Sequence, residues 1–364
     1  MLAAEILFWA SLAALVWTHA GYPLAARALA LTRTRPVRKD DGALPTVAVV
    51  VAAWNEEAVI ERRIENLRAL DYPADRLELV VSSDASTDRT EELAEQTGAR
   101  VIRNPRGGKV AAQNRAVRET SAEILAFSDA NATWAPDALR KLVRNFADPE
   151  VAYVCGRAVL ETDAERNKEG LYWRYELAVR ADESRLGSIT GGNGPIYAVR
   201  REDYVEVDPR FGHDLSLPYL LAQRRRRAVY EPDASSYEKA TPTTEDEYRR
   251  KVRMFEHCWA IVFEGKMLRR LRPLYLVEVL SHRHLRYASG LLHLVLLGAS
   301  IALLGHGTVY AVALGLQLGV LAAAAFGVGL PRYYVLVTWA TVVALWNYLR
   351  RGVPSTWEAA AGTR

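Results

Sequence analysis

The chain has 364 residues, with 47 Lys and Arg against 43 Asp and Glu and a formal net charge of +4. That length holds one domain of ordinary size plus further elements, and so mild a basic excess, clustered beside apolar runs, excludes a nucleic-acid partner in favour of membrane lipids. Two cysteines, Cys155 and Cys258, are too few for a disulfide framework and fit a reducing compartment.

From Ile6 to Ala26 no residue is charged, about the ~20 residues a helix needs to cross a bilayer. Glu5 precedes this run, and Arg27, Arg33, Arg35, Arg38 and Lys39 follow it. A secretory leader has the opposite charge order. The pattern therefore predicts an N-terminal transmembrane anchor over residues 1–27, with the following domain on the cytoplasmic side.

Thr46–Ala53 (TVAVVVAA) is a continuous apolar, β-branched run, the mark of a strand buried on both faces. A helical pattern over Glu56–Leu70 follows. Leu77–Ser82 then reads as a second strand, a helix starts near Asp88-Arg-Thr-Glu91, and Ala99–Arg103 is a third strand. Lys109–Glu119 is a third helix, Glu123–Ser128 a fourth strand, Pro136–Phe146 a fourth helix and Val151–Leu160 a fifth strand. This alternation predicts an α/β domain, Rossmann-like, with a mostly parallel sheet and right-handed crossovers. Ligands of such sheets bind outside the carboxyl ends of the strands. Those ends read Ala53-Trp-Asn-Glu-Glu57, Ser82-Ser-Asp-Ala-Ser-Thr-Asp88, Asn104-Pro-Arg-Gly-Gly-Lys109 and Ser128-Asp-Ala-Asn131. Each alone has a bland explanation as a turn or a helix cap. Together, in register with four strands, they place acids, amides and a Gly-Gly-Lys on one cleft.

Further along, Tyr172-Trp-Arg-Tyr175 fits either an aromatic acceptor platform or a packing face. Gly191-Gly-Asn-Gly194 is a glycine-rich loop, Gly212-His-Asp214 precedes a helix, and Arg224–Arg227 reads as a basic face exposed to water or lipid. His282-Arg-His284 and Arg286 read as markers of a membrane surface. Tyr287–Pro331 carries no charge and breaks at Gly305-His-Gly307, giving two candidate spans; Tyr333–Leu349 is a shorter third. Three spans after the domain would leave Arg350, Arg351 and Arg364 on the far side, so either the last segment lies in the interface or re-enters, or the number of spans differs.

The order of the strand-end motifs resembles the family 2 glycosyltransferases of the GT-A fold, above all membrane-bound members that build extracellular polysaccharides. The resemblance implies a GT-A domain over 45–234, interfacial helices over 235–286, transmembrane helices over 287–350 and a basic tail over 351–364. It implies a nucleotide-sugar pocket at Ala53, Trp54, Asn55 and Glu57, with Asp84 on the base or ribose and Lys109 on the diphosphate. Asp129 and Asn131 occupy the family's D-x-D position, which carries a divalent metal, Mg²⁺ or Mn²⁺. Gly192, Asn193 and Gly194, with Tyr172 and Trp173, fall at the acceptor side. Asp214 is the expected base, and His213 replaces the family's Glu beside it, as a second-shell or surface group. The Q-x-x-R-W element falls on Arg250-Lys-Val-Arg253-Met254. Only the central Arg is retained, which leaves processive polymerisation and single addition both open, and acceptor-channel function does not carry over.

The implied activity is inverting transfer of a sugar from a nucleoside diphosphate, expected to be UDP, to a glycan or lipid-linked acceptor at the cytoplasmic membrane face. A growing negative charge on the leaving diphosphate needs a divalent cation and Lys or Arg, and Asp129 offers the hard oxygen ligand such cations prefer. Two alternatives stay open. One is transfer of a single sugar to a polyprenyl-phosphate-type carrier. The other is a non-catalytic nucleotide-sugar-binding subunit, which Asn131 and Ser83, at positions often acidic, would suit.

Overall fold

The computed structural model describes residues 1–161, 167–239 and 243–356; the side chains of 161 and 167–172 also lie outside this description. An apolar helix α1 (Leu2–Val16) continues through a π-helical turn (Trp17–Gly21) into α2 (Tyr22–Thr32). The chain then alternates: β1 (Val47–Ala53), α3 (Ile60–Arg68), β2 (Leu77–Asp84), α4 (Thr90–Gln96), β3 (Arg100–Asn104), α5 (Lys109–Glu119) and β4 (Ile124–Asp129). There follow a short β5 (Thr133–Trp134), α6 (Ala138–Val143), β6 (Val151–Glu161), α7 (Asn167–Leu186), β7 (Tyr197–Arg200), α8 (His213–Gln223) and β8 (Arg227–Lys239).

The strands form one sheet in the order β3-β2-β1-β4-β7-β6-β8-β5. The run β3-β2-β1-β4 is parallel. The sheet is mostly parallel as expected, β6 and β8 being parallel too, but its second half is mixed. β7 enters antiparallel between β4 and β6, and β5 pairs antiparallel with β8. β7 has only four residues and follows α7 through the loop over 187–196. Register shifts between β6 and β8 curl this half of the sheet.

Burial explains β1. Val47, Val49 and Val51 pack with Ile60, Ile64 and Leu67 of α3, whereas Ala48 and Val50 face the opposite layer with Leu125, Phe127 and Val117. A strand with a helix layer on each side must be apolar at every position. The pairings Ala53↔Ser83 and Ala52↔Asp129 bring the ends of β1, β2 and β4 level at one edge.

After β8 come α9 (Thr244–Glu264), α10 (Pro273–Val279), a π-helical turn (Leu280–His284), α11 (Leu285–Tyr287), α12 (Ser289–Ala302), α13 (Thr308–Ala325) and α14 (Gly329–Arg351). Among the described residues, Leu2–Thr32 and Thr308–Ala325 are long and apolar enough to cross a membrane. The pair Pro273–Tyr287 and Ser289–Ala302, bent by 64°, meets the same measure if it counts as one span. α14, which contains the expected third segment, does not; it packs along α9 through Ala340 and Ala344 against Phe255 and Trp259.

One reading of a basic cluster is corrected and another holds only in part, since Arg224 and Arg225 are exposed as expected but Arg227 is not. His282 is fully buried, bridging Glu183 (Nδ1, 2.6 Å) and Glu176 (Nε2, 3.1 Å), while Tyr22 donates to Glu183 at 2.8 Å. A surface marker has become a tie between the first helices, α7 and the turn after α10. Arg227 is buried too, donating to the carbonyls of Gly187 (3.0 Å) and Arg35 (2.8 Å) and so seating the linker from α2.

Candidate functional site

The strand ends open into a cavity of about 380 Å³. Ala53, Trp54, Asp84, Lys109, Asp129, Asn131, Gly194, Asp214, Arg250 and Arg253, all expected from the sequence, line it. Seven segments far apart in the chain meet there: the parallel register levels the ends of β1, β2 and β4, α5 starts beside them, and the glycine-rich loop, α8 and α9 close the other side.

The phosphate-type turn is built first. Gly108 adopts φ +91, a conformation that costs a residue with a Cβ. The carbonyl oxygen of Ser355 would also stand 1.9 Å from such a Cβ, so the segment after α14 lies against this turn. Asp84, 2 % exposed, accepts from the N–H of Gly107 at 2.7 Å and of Gly108 at 2.9 Å, and pairs with Arg106. Its carboxylate therefore shapes the turn that starts α5. Arg106 in turn lies 3.7 Å over the Trp54 ring, a cation–π contact at the cavity wall.

Lys109, first in α5, bonds Asp129 at the end of β4. Burial works against the ammonium, but Asp129 outweighs it and raises the Lys109 pKa. At Gly194 a Cβ would stand 3.1 Å from Lys109 Nζ and 3.4 Å from Asp129 Oδ2, so this glycine leaves room at the head of the carboxylate. Beneath β4 the buried guanidinium of Arg63 donates to Ser128 Oγ at 2.8 Å and lies 5.1 Å over Trp134. Burial lowers the Arg63 pKa to about 9 against the pull of Asp129. Trp134 donates from Nε1 to the Pro195 carbonyl at 2.9 Å, pinning the Asp129–Trp134 stretch to the glycine-rich loop.

Asp214 sits in the first turn of α8, half-buried, and its carbonyl accepts from Gly192 N–H at 2.7 Å. Burial raises the pKa of its carboxyl; Lys109 opposes this and Asp129 adds to it. His213 beside it is not a surface group. The ring is 2 % exposed, with Tyr197 Oη 3.2 Å from Nδ1 and Tyr204 Oη and Asn114 Oδ1 3.0 and 3.1 Å from Nε2. Burial, helped by Lys109, lowers its pKa to about 3. The imidazole is thus neutral, and the Asn114 acceptor assigns the proton to Nε2.

Other expected residues do not line the cavity. Asn55 and Glu57 instead lock two loops together. Asn55 Oδ1 accepts from Thr87 N–H at 2.8 Å and Glu57 Oε2 from Arg89 N–H at 3.1 Å. Asn193 donates to the Gly156 carbonyl at 2.7 Å, Gly192 is engaged with Asp214 and Arg180, and Trp173 donates to the Ala158 carbonyl at 2.8 Å. The Tyr172 side chain lies outside the described residues.

Sequence reasoning missed Glu56, Arg106, Gln113, Glu238 and His257, which do line it. Two had a signal. Gln113 is one helical turn beyond Lys109, and His257 completes the face Arg250, Arg253, Met254, His257 on α9. Glu238 had none: it arrives from β8, where burial, then Asp129, pushes its pKa up to about 7. A second cavity of about 360 Å³ between α9 and α14 shares Arg253 and His257 with the first.

Comparison with known proteins fits this geometry. Residues 48–207 match the family model described as Glycosyl transferase family 2. A beta-monoglucosyldiacylglycerol synthase of Synechocystis is 32 % identical over 209 residues, 52 % of this chain and 42 % of the relative. An N-acetylglucosaminyltransferase of Rhizobium meliloti is 26 % identical over 286 residues, 70 % of this chain and 66 % of the relative. This chain thus spans less than two thirds of these relatives' lengths. A mannosyltransferase from Pyrobaculum calidifontis, solved with GDP-Man and Mn²⁺, superposes with a TM-score of 0.77 at 24 % identity over 95 % of this chain and 98 % of that one, which establishes a shared fold.

Proposed function

From the match of residues 48–207 to the model described as Glycosyl transferase family 2 and the shared fold, we propose that the protein is a family 2 glycosyltransferase that transfers a sugar from a nucleoside diphosphate to an acceptor hydroxyl with inversion. One observation carries the reading: Lys109 paired with Asp129 shares a cavity with the half-buried carboxyl of Asp214. A cation suited to a diphosphate and a carboxyl suited to accept a proton around a single substrate-sized space support this reading.

Trp54 and Arg106 make a flat cationic wall suited to a nucleobase. The turn at 107–109, with Arg250 and Arg253, suits the diphosphate. Asp129 and Asn131 present the oxygen donors that Mg²⁺ or Mn²⁺ prefers, and Gly194 leaves space at Asp129 Oδ2. Such an ion, when bound, neutralises charge on the leaving diphosphate. Asp214 takes the acceptor's proton as its oxygen attacks the anomeric carbon and the bond to the diphosphate oxygen breaks. A single displacement of this kind inverts that carbon.

The apolar helices suit an anchor in the cytoplasmic membrane, with the domain on the cytoplasmic face and a product destined for extracellular polysaccharide. A second acceptor reading has its own support. The cavity between α9 and α14 joins the donor cavity at Arg253 and His257, a route for an acceptor carried on lipid, and one relative is named for a diacylglycerol product. Incubating purified full-length protein with labelled UDP- and GDP-sugars, Mn²⁺ and lipid or oligosaccharide acceptors tests both. Turnover of none of them, with nucleotide tightly bound, would favour a binding subunit instead.

A further inference from the structure

We infer that Gln113 is a specificity residue that reads a hydroxyl of the donor's sugar; this rests on the donor-cavity reading above. Gln113 lies on α5 four residues beyond Lys109, so both side chains leave the helix on one face and line the same cavity. It is 1 % exposed, yet neither Oε1 nor Nε2 has a hydrogen-bond partner. An amide offers two donors and an acceptor oxygen. Burying all of them unmet costs folding free energy that an apolar side chain of similar shape would not.

Its surroundings leave at least part of this capacity unmet. The neighbouring Asn114 is committed to the Val207 carbonyl at 2.8 Å and to the Tyr204 hydroxyl at 2.6 Å. The Tyr197 hydroxyl stands beside the Gln113 amide in a contact outside ordinary hydrogen-bond geometry, and it also engages His213 at 3.2 Å. Lys109 is taken by Asp129. The unmet capacity therefore belongs to whatever fills the cavity.

The chemistry selects which part of a donor that is. A diphosphate calls for cations, and Lys109, Arg250 and Arg253 line the cavity for it. A neutral amide that both donates and accepts matches a neutral hydroxyl that does the same. Position agrees. Gln113 neighbours Tyr197, Tyr197 bonds His213, and His213 precedes Asp214, so the amide stands toward the proposed base, where the sugar must lie for attack at its anomeric carbon.

The test compares wild-type full-length protein with Gln113→Leu and Gln113→Asn by calorimetry, using UDP-glucose, GDP-mannose, UDP and GDP in the presence of Mn²⁺. Gln113→Leu should bind the preferred sugar nucleotide roughly 10- to 100-fold more weakly while free UDP and GDP bind as before. Without ligand its Tm should rise, because an unmet buried amide has gone; a residue with only a structural role would lower it. Gln113→Asn, whose shorter amide falls back from the cavity, should also lose the sugar increment. Undiminished sugar-nucleotide binding in Gln113→Leu, or an equal loss for free and sugar-linked nucleotides, would overturn the assignment. If wild type binds none of the four, the donor-cavity reading falls and this inference falls with it.

Discussion

Lys109 Nζ is bonded to Oδ1 of Asp129, joining the first turn of α5 to the last residue of β4. Oδ2 faces the space that Gly194 leaves open. One oxygen is thus held by the protein's own cation, and the other is available to a divalent ion.

This division of labour predicts unequal effects within the Asp-Ala-Asn motif. Asp129→Ala should lower transfer by about 10³-fold or more, since it removes both the metal ligand and the partner of Lys109. Asn131→Asp should retain transfer, because a carboxylate is at least as good an oxygen donor as an amide. Initial rates at saturating Mn²⁺, with Mn²⁺ affinity measured in parallel, check both.

Asp214→Asn should lower kcat by roughly 10²- to 10⁴-fold while leaving nucleotide binding intact. A pH profile gives a second readout. The base acts only when ionised, and burial holds its pKa above the ordinary carboxylate value. Activity should therefore fall as pH falls through a point above the usual carboxylate range. Wild-type rates with no such acid limb would remove Asp214 from the role.

His213 makes the fold sensitive to acid. Its folded pKa, about 3, lies below the ordinary value of 6.5, so the unfolded chain gains a proton that the native state refuses. Its contribution is complete above pH 6.5 and is lost progressively from there down toward pH 3. His213→Gln should flatten the dependence of urea-unfolding stability on pH in that window. An unchanged slope would show that the ring titrates freely.

Asp84→Asn should disorganise the turn before α5. An amide nitrogen would face N–H groups now held at 2.7 and 2.9 Å, and Arg106 would lose its counter-charge. Affinity for UDP or GDP should drop about tenfold or more, with α5 still present by circular dichroism. Equal affinity in the variant would mean that the turn keeps its shape without the carboxylate.

Much of this site was legible before folding. The residues Asp84, Lys109 and Asp129 could be placed because they follow runs such as TVAVVVAA and EILAFS, whose apolar character admits only buried strands. Arg250 and Arg253 could be paired because residues three apart share a helix face. Asn55, Glu57 and Asn193 were assigned to substrate from the same motifs and instead hold loops together, with partners 32, 32 and 37 residues away. A polar side chain at a strand end can satisfy a neighbouring loop as well as a ligand, and nothing local distinguishes the two.

What the amino-acid order determined by itself was therefore the alternation of strand and helix, the apolar segments, and the edge of the sheet that carries chemistry. Each follows from hydrophobic period and backbone geometry acting over a few residues. The antiparallel entry of β7, the arrival of Glu238 from β8, the burial of His213 and His282 and the unmet amide of Gln113 were decided only by tertiary structure. They depend on which groups from distant segments meet, and on whether each buried polar atom finds a partner once they do.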